Sequence, residues 1–304
     1  MKEEHLKRIW VVCLLAALCC ILWGSAFPGI KIGYRWCGIH AADIGSQVIF
    51  AGCRFTLSGA LVILFGSLLQ RKVLFPAKQA VKPVLVLAIF QTVLQYFFFY
   101  IGMAHTTGVN GSIITATNVF LSLLVASLLL KQEKLDARRI LGCLLGFAGV
   151  VLVNLQNASL EAAFAWNGEG FIFISALASA VSAALIRKYS EKNPPMLLSG
   201  YQFLLGGVVL ILAGTIMGGH VQFHSVASIG ILLYLAALSA VAYTLWGILL
   251  KYNPVSKVTV FGFVNPIAGV VLSALLLDEK GALTWVTLLS LLFVSCGIVI
   301  VQKS

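Results

Sequence analysis

Long apolar runs alternate with short charged segments along this chain of 304 residues. Two of the runs, at positions 111–130 and 258–277, are free of charge and each is followed by a charged turn. Each run is about 20 residues long, the length at which a helix crosses roughly 30 Å of hydrocarbon. Because the apolar positions are continuous rather than confined to one helix face, the pattern predicts membrane-spanning helices.

The same criterion divides the whole chain into ten predicted spans separated by polar turns. In the first half they cover approximately residues 9–28, 48–69, 84–103, 111–130 and 140–155. In the second half they cover approximately residues 170–186, 197–217, 229–250, 258–277 and 283–301. We therefore expect an all-α integral membrane protein with a first five-helix unit at 1–155, a polar linker at 156–168 and a second five-helix unit at 169–304.

The first predicted span allows a second interpretation. Gly24-Ser25-Ala26 resembles the small-residue cleavage site that follows the apolar core of a secretory signal peptide. Removing this span would also remove one member of the internal repeat described below. We therefore interpret it as a transmembrane helix.

Basic residues concentrate on one side of this topology. With the N-terminus inside, the inner segments hold 17 of the 21 Lys and Arg residues, and the outer segments hold only Lys31, Arg35 and Lys280. The remaining one, Arg54, lies inside a span. Cytoplasmic loops carry the excess of positive charge in membrane proteins, so this asymmetry predicts that both termini are cytoplasmic.

Composition narrows the class further. The chain is 60% hydrophobic and 10% charged, with a mean hydropathy of +1.01. Its net charge of +11 comes from short loops, where basic residues are topology signals, so no nucleic-acid partner is expected. Cysteines lie mostly in apolar runs and histidines are scattered, which indicates no disulfide framework, metal site or other cofactor. The expected partners are a small-molecule substrate and the lipid bilayer; no pattern indicates an oligomeric state.

The two halves share an internal repeat. The matches keep one order along the chain: Ser25-Ala26 with Ser182-Ala183, Arg54-Phe55 with Gln202-Phe203, Tyr96 with Tyr243, Thr117-Asn118-Val119-Phe120 with Val264-Asn265-Pro266-Ile267, and Gly149-Val150-Val151 with Gly297-Ile298-Val299. Each half holds five spans, an odd number, so the second half enters the membrane from the opposite side. Inverted repeats of this kind are typical of alternating-access transporters, whose binding site lies where the halves meet.

These motifs resemble those of the drug/metabolite transporter superfamily, specifically its ten-helix EamA-type members. The resemblance covers about residues 6–302. In the first two spans it rests on Trp23-Gly24-Ser25-Ala26-Phe27 and Arg54-Phe55. In the later spans it rests on the leucine runs 128–130 and 275–277, on the acids Glu133 and Asp278-Glu279 that follow them, and on the glycines Gly142, Gly146, Gly149 and Gly297. It implies two tandem five-helix domains. Relatives with this layout are associated with amino acids, sugars, nucleosides, drugs and other metabolites.

Proline placement departs from the family pattern in the fourth span. Val119 stands where the family usually has proline, so only Pro266 in the ninth span retains the expected break. Proline removes one backbone hydrogen bond and permits a bend, which makes Pro266 the predicted hinge. Close helix packing is expected at Gly142 and Gly146, which have the spacing that lets transmembrane helices approach closely.

Arg54 is the one ionised residue well inside a predicted span. Burying its charge costs about 2.5–3.5 kcal/mol on insertion scales, so it is expected to face the protein interior or water and to have a partner. In the functional interpretation its planar guanidinium binds a carboxylate or phosphate of the substrate. In the structural interpretation it bonds backbone carbonyls or pairs with Asp43, and the presence of Arg here in relatives with varied substrates favours that role.

Other candidate substrate-binding residues are polar or aromatic side chains near mid-membrane: Trp23, Gln91, Gln95, Tyr96, Tyr100, Asn118, Tyr243, Trp246 and Asn265. Uncharged amides and aromatic faces suit zwitterionic or amphipathic solutes. The alternative is that the amides join helices to one another, with each bond worth roughly 0.6 kcal/mol. No Asp or Glu lies deep in a predicted span, so proton coupling would depend on groups at the span ends, and facilitated diffusion or exchange is an equal alternative.

The sequence thus predicts a membrane transporter for a small organic solute, favouring an exporter of amino acids or related metabolites in a bacterial plasma membrane. The alternative is a flippase for a lipid or lipid-linked sugar, which would need a site open sideways to the bilayer. A polytopic enzyme is not expected, because the spans contain no catalytic constellation.

Overall fold

The described part of the protein folds as α-helices joined by short turns, with no β-strand, as predicted. The computed structural model describes residues 3–40, 42–106, 108–155, 165–223, 225–277 and 284–304. Most of the predicted linker, residues 156–164, and the acidic pair Asp278-Glu279 lie outside these ranges.

The helices of the first half are α1 (Ile9–Cys37), α2 (Ile44–Gln70), α3 (Lys78–Leu87), α4 (Gln95–Ala104), α5 (Gly108–Ala116), α6 (Asn118–Leu124) and α7 (Ala137–Leu155). Those of the second half are α8 (Phe171–Ser190), α9 (Pro195–Ile216), α10 (Val226–Tyr252), α11 (Val255–Thr259), α12 (Val264–Leu277) and α13 (Trp285–Gln302). Short π-helical segments cover Ala88–Leu94, Val125–Leu129 and Trp166–Gly170, and 3₁₀ turns cover Glu3–Lys7 and Val260–Phe263.

Seven helical segments in the described ranges are long and apolar enough to cross a membrane. They are Ile9–Cys37, Ile44–Gln70, Lys78–Met103, Trp166–Ser190, Pro195–Ile216, Val226–Tyr252 and Trp285–Gln302. The other three predicted spans coincide with shorter or interrupted helical segments: α5 with α6, α7, and α11 with α12. The protein is therefore a multi-pass membrane protein, and the count of ten remains a prediction. The first helix is longer than predicted, since it accommodates Pro28 and continues to Cys37.

Two of the interrupted segments occupy equivalent places in the repeat. In the second half, the 3₁₀ turn Val260–Phe263 precedes α12 and its Pro266. In the first half, α5 and α6 are separated at Thr117, although no proline is present. The expectation that only the proline-containing span is broken is therefore wrong. The turn at Thr117 forms without proline. The N–H (3.0 Å) and the hydroxyl (2.5 Å) of Thr117 both donate to the carbonyl of Ile114, which tightens the backbone there.

The two halves pack together along a row of glycines in α2 and α9, which we call the glycine ladder. Glycine recurs every seventh residue, as Gly45, Gly52, Gly59 and Gly66 in α2 and Gly200, Gly207 and Gly214 in α9. A Cβ on Gly52 would lie 2.7 Å from the carbonyl oxygen of Gly207, and one on Gly59 would lie 2.6 Å from that of Gly200. The backbones are therefore in contact, which only glycine permits.

The glycine contacts also establish the relative direction of the halves. Gly52 precedes Gly59 in α2, whereas its contact Gly207 follows Gly200 in α9, so the two helices are antiparallel. The register that aligns Arg54-Phe55 with Gln202-Phe203 also aligns Gly52 with Gly200 and Gly59 with Gly207. Equivalent helices therefore run in opposite directions, and the predicted inversion of the repeat is confirmed.

The last helices of the halves, α7 and α13, form a second glycine contact. A Cβ on Gly142 would lie 2.7 Å from the carbonyl oxygen of Gly297, and one on Gly297 would lie 2.9 Å from the backbone nitrogen of Gly146. The predicted close packing at Gly142 and Gly146 is confirmed, and it occurs within one chain.

Both termini lie at the same end of the bundle, which we call the terminal end. The Asn253 amide donates to the carbonyl of Leu6 (3.0 Å), and Lys257 and Gln302 bond each other's backbone carbonyls at 2.9 and 2.6 Å. The first contact joins the start of the first half to the second half, and the other two join α11 to the end of α13.

Candidate functional site

An aromatic cluster forms where α2 and α4 of the first half meet α9 and α10 of the second. The rings of Phe55 and Phe203 stack with their centroids 5.2 Å apart. The hydroxyls of Tyr96 and Tyr243 hydrogen-bond each other. Both pairs consist of positions that the repeat makes equivalent. The pseudo-two-fold axis between the halves therefore passes through this cluster, where an inverted repeat is expected to place its binding site.

Further predicted residues extend the cluster on either side of the axis. The indole of Trp23 lies 4.9 Å from the rings of both Tyr243 and Trp246, and the ring of Tyr100 lies 6.4 Å from that of Tyr96. The structure thus brings together five of the predicted aromatic residues from α1, α4 and α10. Their rings are in contact, so a solute needs the cluster to separate before it can enter.

Arg54 lies at the edge of this cluster with only 3% of its surface exposed. Its Nε donates a hydrogen bond to the hydroxyl of Ser239 on α10 (2.8 Å), and its guanidinium carbon lies 5.2 Å from the centroid of the Phe55 ring. The centroid of that ring lies 4.3 Å from the ring of Tyr96 and 6.5 Å from that of Tyr243. Arg54 therefore supplies a fixed positive charge beside the rings.

The structural interpretation that paired Arg54 with Asp43 is wrong. Asp43 caps α2, where its carboxylate accepts the N–H of Ser46 at 3.0 Å, and the hydrogen bonds from Ser46 hold the pKa of Asp43 below its usual range. Arg54 follows Asp43 by three helical turns, which separates the two by roughly 16 Å along the axis. Within the described ranges no carboxylate pairs with Arg54.

Two of the predicted substrate-binding amides, those of Gln91 and Asn118, form hydrogen bonds with side chains of other helices. Gln202 of α9 donates to the side-chain oxygen of Gln91 (2.8 Å) and accepts from the hydroxyl of Thr92 (2.9 Å). Asn118 donates to Ser179 of α8 at 3.1 Å. Because Gln91 is buried and its amide oxygen already has a partner, the interhelical interpretation describes it better than the pocket-lining one.

The remaining amides are less fully bonded. The side-chain oxygens of Gln95 and Asn265, and the indole nitrogen of Trp23, are buried and have no hydrogen-bond partner within the described residues. Pro266 follows Asn265 at the start of α12 and is buried, so the predicted hinge lies next to one of these atoms. A buried polar atom without a partner costs about 1–3 kcal/mol, so these atoms favour a bound solute or water in a more open packing.

Three residues of the site are not among those predicted from the sequence. The sequence marks Phe55 and Phe203 only as members of the repeat, although their equivalent positions also indicate that they face each other across the axis. Ser239, the partner of Arg54, is one serine among many in an apolar helix. Its signal is that it precedes Tyr243 by four residues, as Thr92 precedes Tyr96.

A cleft of about 250 Å³ lies at the terminal end, away from the aromatic cluster. None of the predicted site residues lines it. Its walls are formed by Lys7, Ile9, Val12, Tyr252, Asn253, Pro254, Lys257 and Gln302.

The arrangement in the cluster suits binding rather than catalysis. Aromatic faces offer a large contact area to an apolar body, and a buried cation with a few polar atoms can orient a solute.

Comparison with known proteins agrees with this geometry. The sequence matches the EamA-like transporter family over residues 10–155 and 166–302. It is 28% identical over 274 residues to an uncharacterized transporter of Archaeoglobus fulgidus, covering 88% of this chain and 89% of the relative. It is 26% identical over 296 residues to the uncharacterized transporter YvbV of Bacillus subtilis, covering 95% and 90%. A crystal structure with 16% identity superposes with a TM-score of 0.79 over 96% of each chain, which shows a shared fold.

Proposed function

Because this chain belongs to the EamA-like transporter family, whose members transport solutes rather than catalyse reactions, we propose that it exports amino acids or related small metabolites by alternating access. The observation that supports this proposal best is the pairing of equivalent residues across the axis, Tyr96 with Tyr243 and Phe55 with Phe203. A site built from equivalent positions of inverted halves can face either side of the membrane in turn.

Contacts at the terminal end support the alternation. Glu133 of the first half accepts hydrogen bonds from the backbone N–H (3.0 Å) and hydroxyl (2.5 Å) of Ser256 in the second half. Arg139 donates to the same carboxylate at 2.6 Å. These bonds join the two halves at the terminal end. In the proposed cycle the halves rock apart at Glu133 and Ser256 when the site faces this end.

The chemistry of the cluster supports the class of solute. Rings on several sides provide contact area for a small amphipathic body, and the Arg54 guanidinium provides a partner for a carboxylate. The asymmetry of basic residues supports a plasma-membrane orientation with both termini in the cytoplasm, which would place the terminal end on the cytoplasmic side.

The experiment that tests this proposal measures the flux of labelled solutes into proteoliposomes that contain the purified protein. Labelled amino acids, nucleosides and cationic drugs would be offered with and without an imposed pH gradient. We expect counterflow of one or more amino acids or related acids above that of protein-free liposomes. Insensitivity to the gradient would indicate a facilitator or exchanger.

The control replaces Gly59 of the α2–α9 contact with Leu, whose side chain would force the two halves apart. That variant should not support flux. If wild-type protein moves no soluble solute but accelerates the bleaching of fluorescent phospholipids by an external reductant, the exporter proposal fails and the flippase alternative replaces it.

A further inference from the structure

Arg54 has an equivalent in the second half, which acts as an internal control for its role. The repeat places Gln202 where the first half has Arg54. Arg54 donates to the hydroxyl of Ser239 (2.8 Å), and Gln202 accepts from the hydroxyl of Thr92 (2.9 Å). Ser239 and Thr92 are themselves equivalent. A helix-to-helix hydrogen bond is therefore present at the same two positions in both halves, with donor and acceptor exchanged.

The second half makes this bond with a neutral amide, so the fold does not need a cation at this position. Arg54 makes it with Nε alone. Its two terminal nitrogens, Nη1 and Nη2, have no hydrogen-bond partner in the part of the chain that the structure describes. The charged end of Arg54 is thus additional to the structural bond that both halves share. Burial of an unused cation in a membrane protein is costly and marks functional sites.

The surroundings of the guanidinium specify what it can bind. It lies 5.2 Å from the centroid of the Phe55 ring, which is itself 4.3 Å from the ring of Tyr96 and 6.5 Å from that of Tyr243. Phenol groups can donate hydrogen bonds to an anion that also bonds the planar guanidinium fork. No carboxylate within the described ranges pairs with Arg54, so no side chain in these ranges neutralises its charge.

We propose that Arg54 is the specificity-determining residue of this site, and that it selects organic anions whose carboxylate binds Nη1 and Nη2 while the apolar body lies against the aromatic cluster. This inference rests on the proposed function and narrows it. A zwitterion brings an ammonium group for which the described site offers no counter-charge. A net anion is therefore preferred over an amino acid of the same size, and an amino acid over an amine.

The test uses three probes of matched size and different charge: 3-phenylpropanoate, phenylalanine and phenethylamine. Binding to the purified wild-type protein in detergent would be measured by calorimetry. Transport of each labelled probe would be measured in proteoliposomes. We expect 3-phenylpropanoate to bind at least tenfold more tightly than phenethylamine, with phenylalanine between them. Equal affinity for the three, or a preference for the amine, would overturn the proposal without any variant.

The diagnostic variant is Arg54→Gln, which gives the first half the residue that the second half uses. Its amide can still bond Ser239, so the thermal unfolding curve should stay close to that of the wild type. We expect its affinity for 3-phenylpropanoate to fall about tenfold or more, and its affinity for phenethylamine to stay the same or rise. Arg54→Lys keeps the charge and should retain part of the preference.

The matched control is Arg138→Gln, the same change at an exposed position outside the cluster. It should leave all three affinities unchanged. If Arg54→Gln binds the anion as tightly as wild type, Arg54 has no role in selection. Flux of the other two probes would then still support a transporter, whereas an absence of flux for every soluble solute would overturn the proposed function itself.

Discussion

Glu133 and Ser256 form a two-point contact between the halves, with the backbone N–H and the hydroxyl of Ser256 both donating to the Glu133 carboxylate. Arg139 adds a charge-assisted bond to the same group, and the side chain of Glu133 is only 5% exposed. One carboxylate thus ties the loop after α6 to the start of α7 and to α11 of the opposite half.

Replacing Glu133 by Gln should weaken this contact. The amide can accept a bond from Ser256, but it lacks the charge that Arg139 pairs with. We expect the free energy of unfolding in a detergent titration to fall by about 1–3 kcal/mol. Glu191→Gln, at an exposed position, is the matched control and should change it little. An unchanged stability for Glu133→Gln would mean that other contacts hold the two halves together at the terminal end.

The tyrosine pair gives a second prediction. Tyr96→Phe and Tyr243→Phe each remove one partner of the shared hydrogen bond and leave the other phenol buried. Each should lower the free energy of unfolding by about 1 kcal/mol. Because the two hydroxyls bond each other, the double variant should cost less than the two single variants together. Additive costs in this double-mutant cycle would show that the hydroxyls do not interact.

The glycine ladder predicts a large difference between two chemically identical changes. Gly52→Ala places a Cβ 2.7 Å from the backbone of α9, whereas Gly230 of α10 has no atom within 4 Å of the corresponding position. Gly52→Ala should destabilise the protein by about 1–3 kcal/mol through overpacking. Gly230→Ala should be neutral or stabilise it by up to about 1 kcal/mol, because alanine favours the helix. Unfolding titrations of both variants measure the difference.

The buried amide network predicts a loss of stability without a loss of binding. Gln91→Leu leaves the Gln202 amide without its acceptor, at a cost of about 1–3 kcal/mol. Because Gln91 joins α9 to the third span rather than facing the rings, the relative affinities for anionic, zwitterionic and cationic probes should not change. Calorimetry on the purified variant tests this, and an altered preference would return Gln91 to the binding site.

Much of the architecture could be predicted because the matching residues of the repeat occur in the same order in both halves of the sequence. The alignment of Tyr96 with Tyr243 identified a pair that meets in space, and the apolar runs located the helices. The seven-residue spacing of glycines in α2 and α9 is equally visible in the sequence. The GxxxG criterion for helix contact does not detect it, although a spacing of seven also places residues on one helix face.

Other features depend on contacts that no single segment encodes. Gln91 and Gln95 are one turn apart and equally polar, yet one bonds Gln202 across the interface while the side-chain oxygen of the other has no partner in the described residues. The break at Thr117 arises from its bonds to the carbonyl of Ile114 rather than from the proline that usually marks such sites. Deciding such cases needs the packing of neighbouring helices.

The glycine ladder has one more consequence for a transport cycle. Exchanging the conformations of the halves would carry the contact of Gly52 with Gly207 onto that of Gly200 with Gly59, because the repeat makes these contacts equivalent. The contact between α2 and α9 is thus the same in the inward-facing and outward-facing states that such an exchange would relate. It can stay intact throughout the transport cycle, so the contacts that break and form on switching are those at the two ends of the bundle.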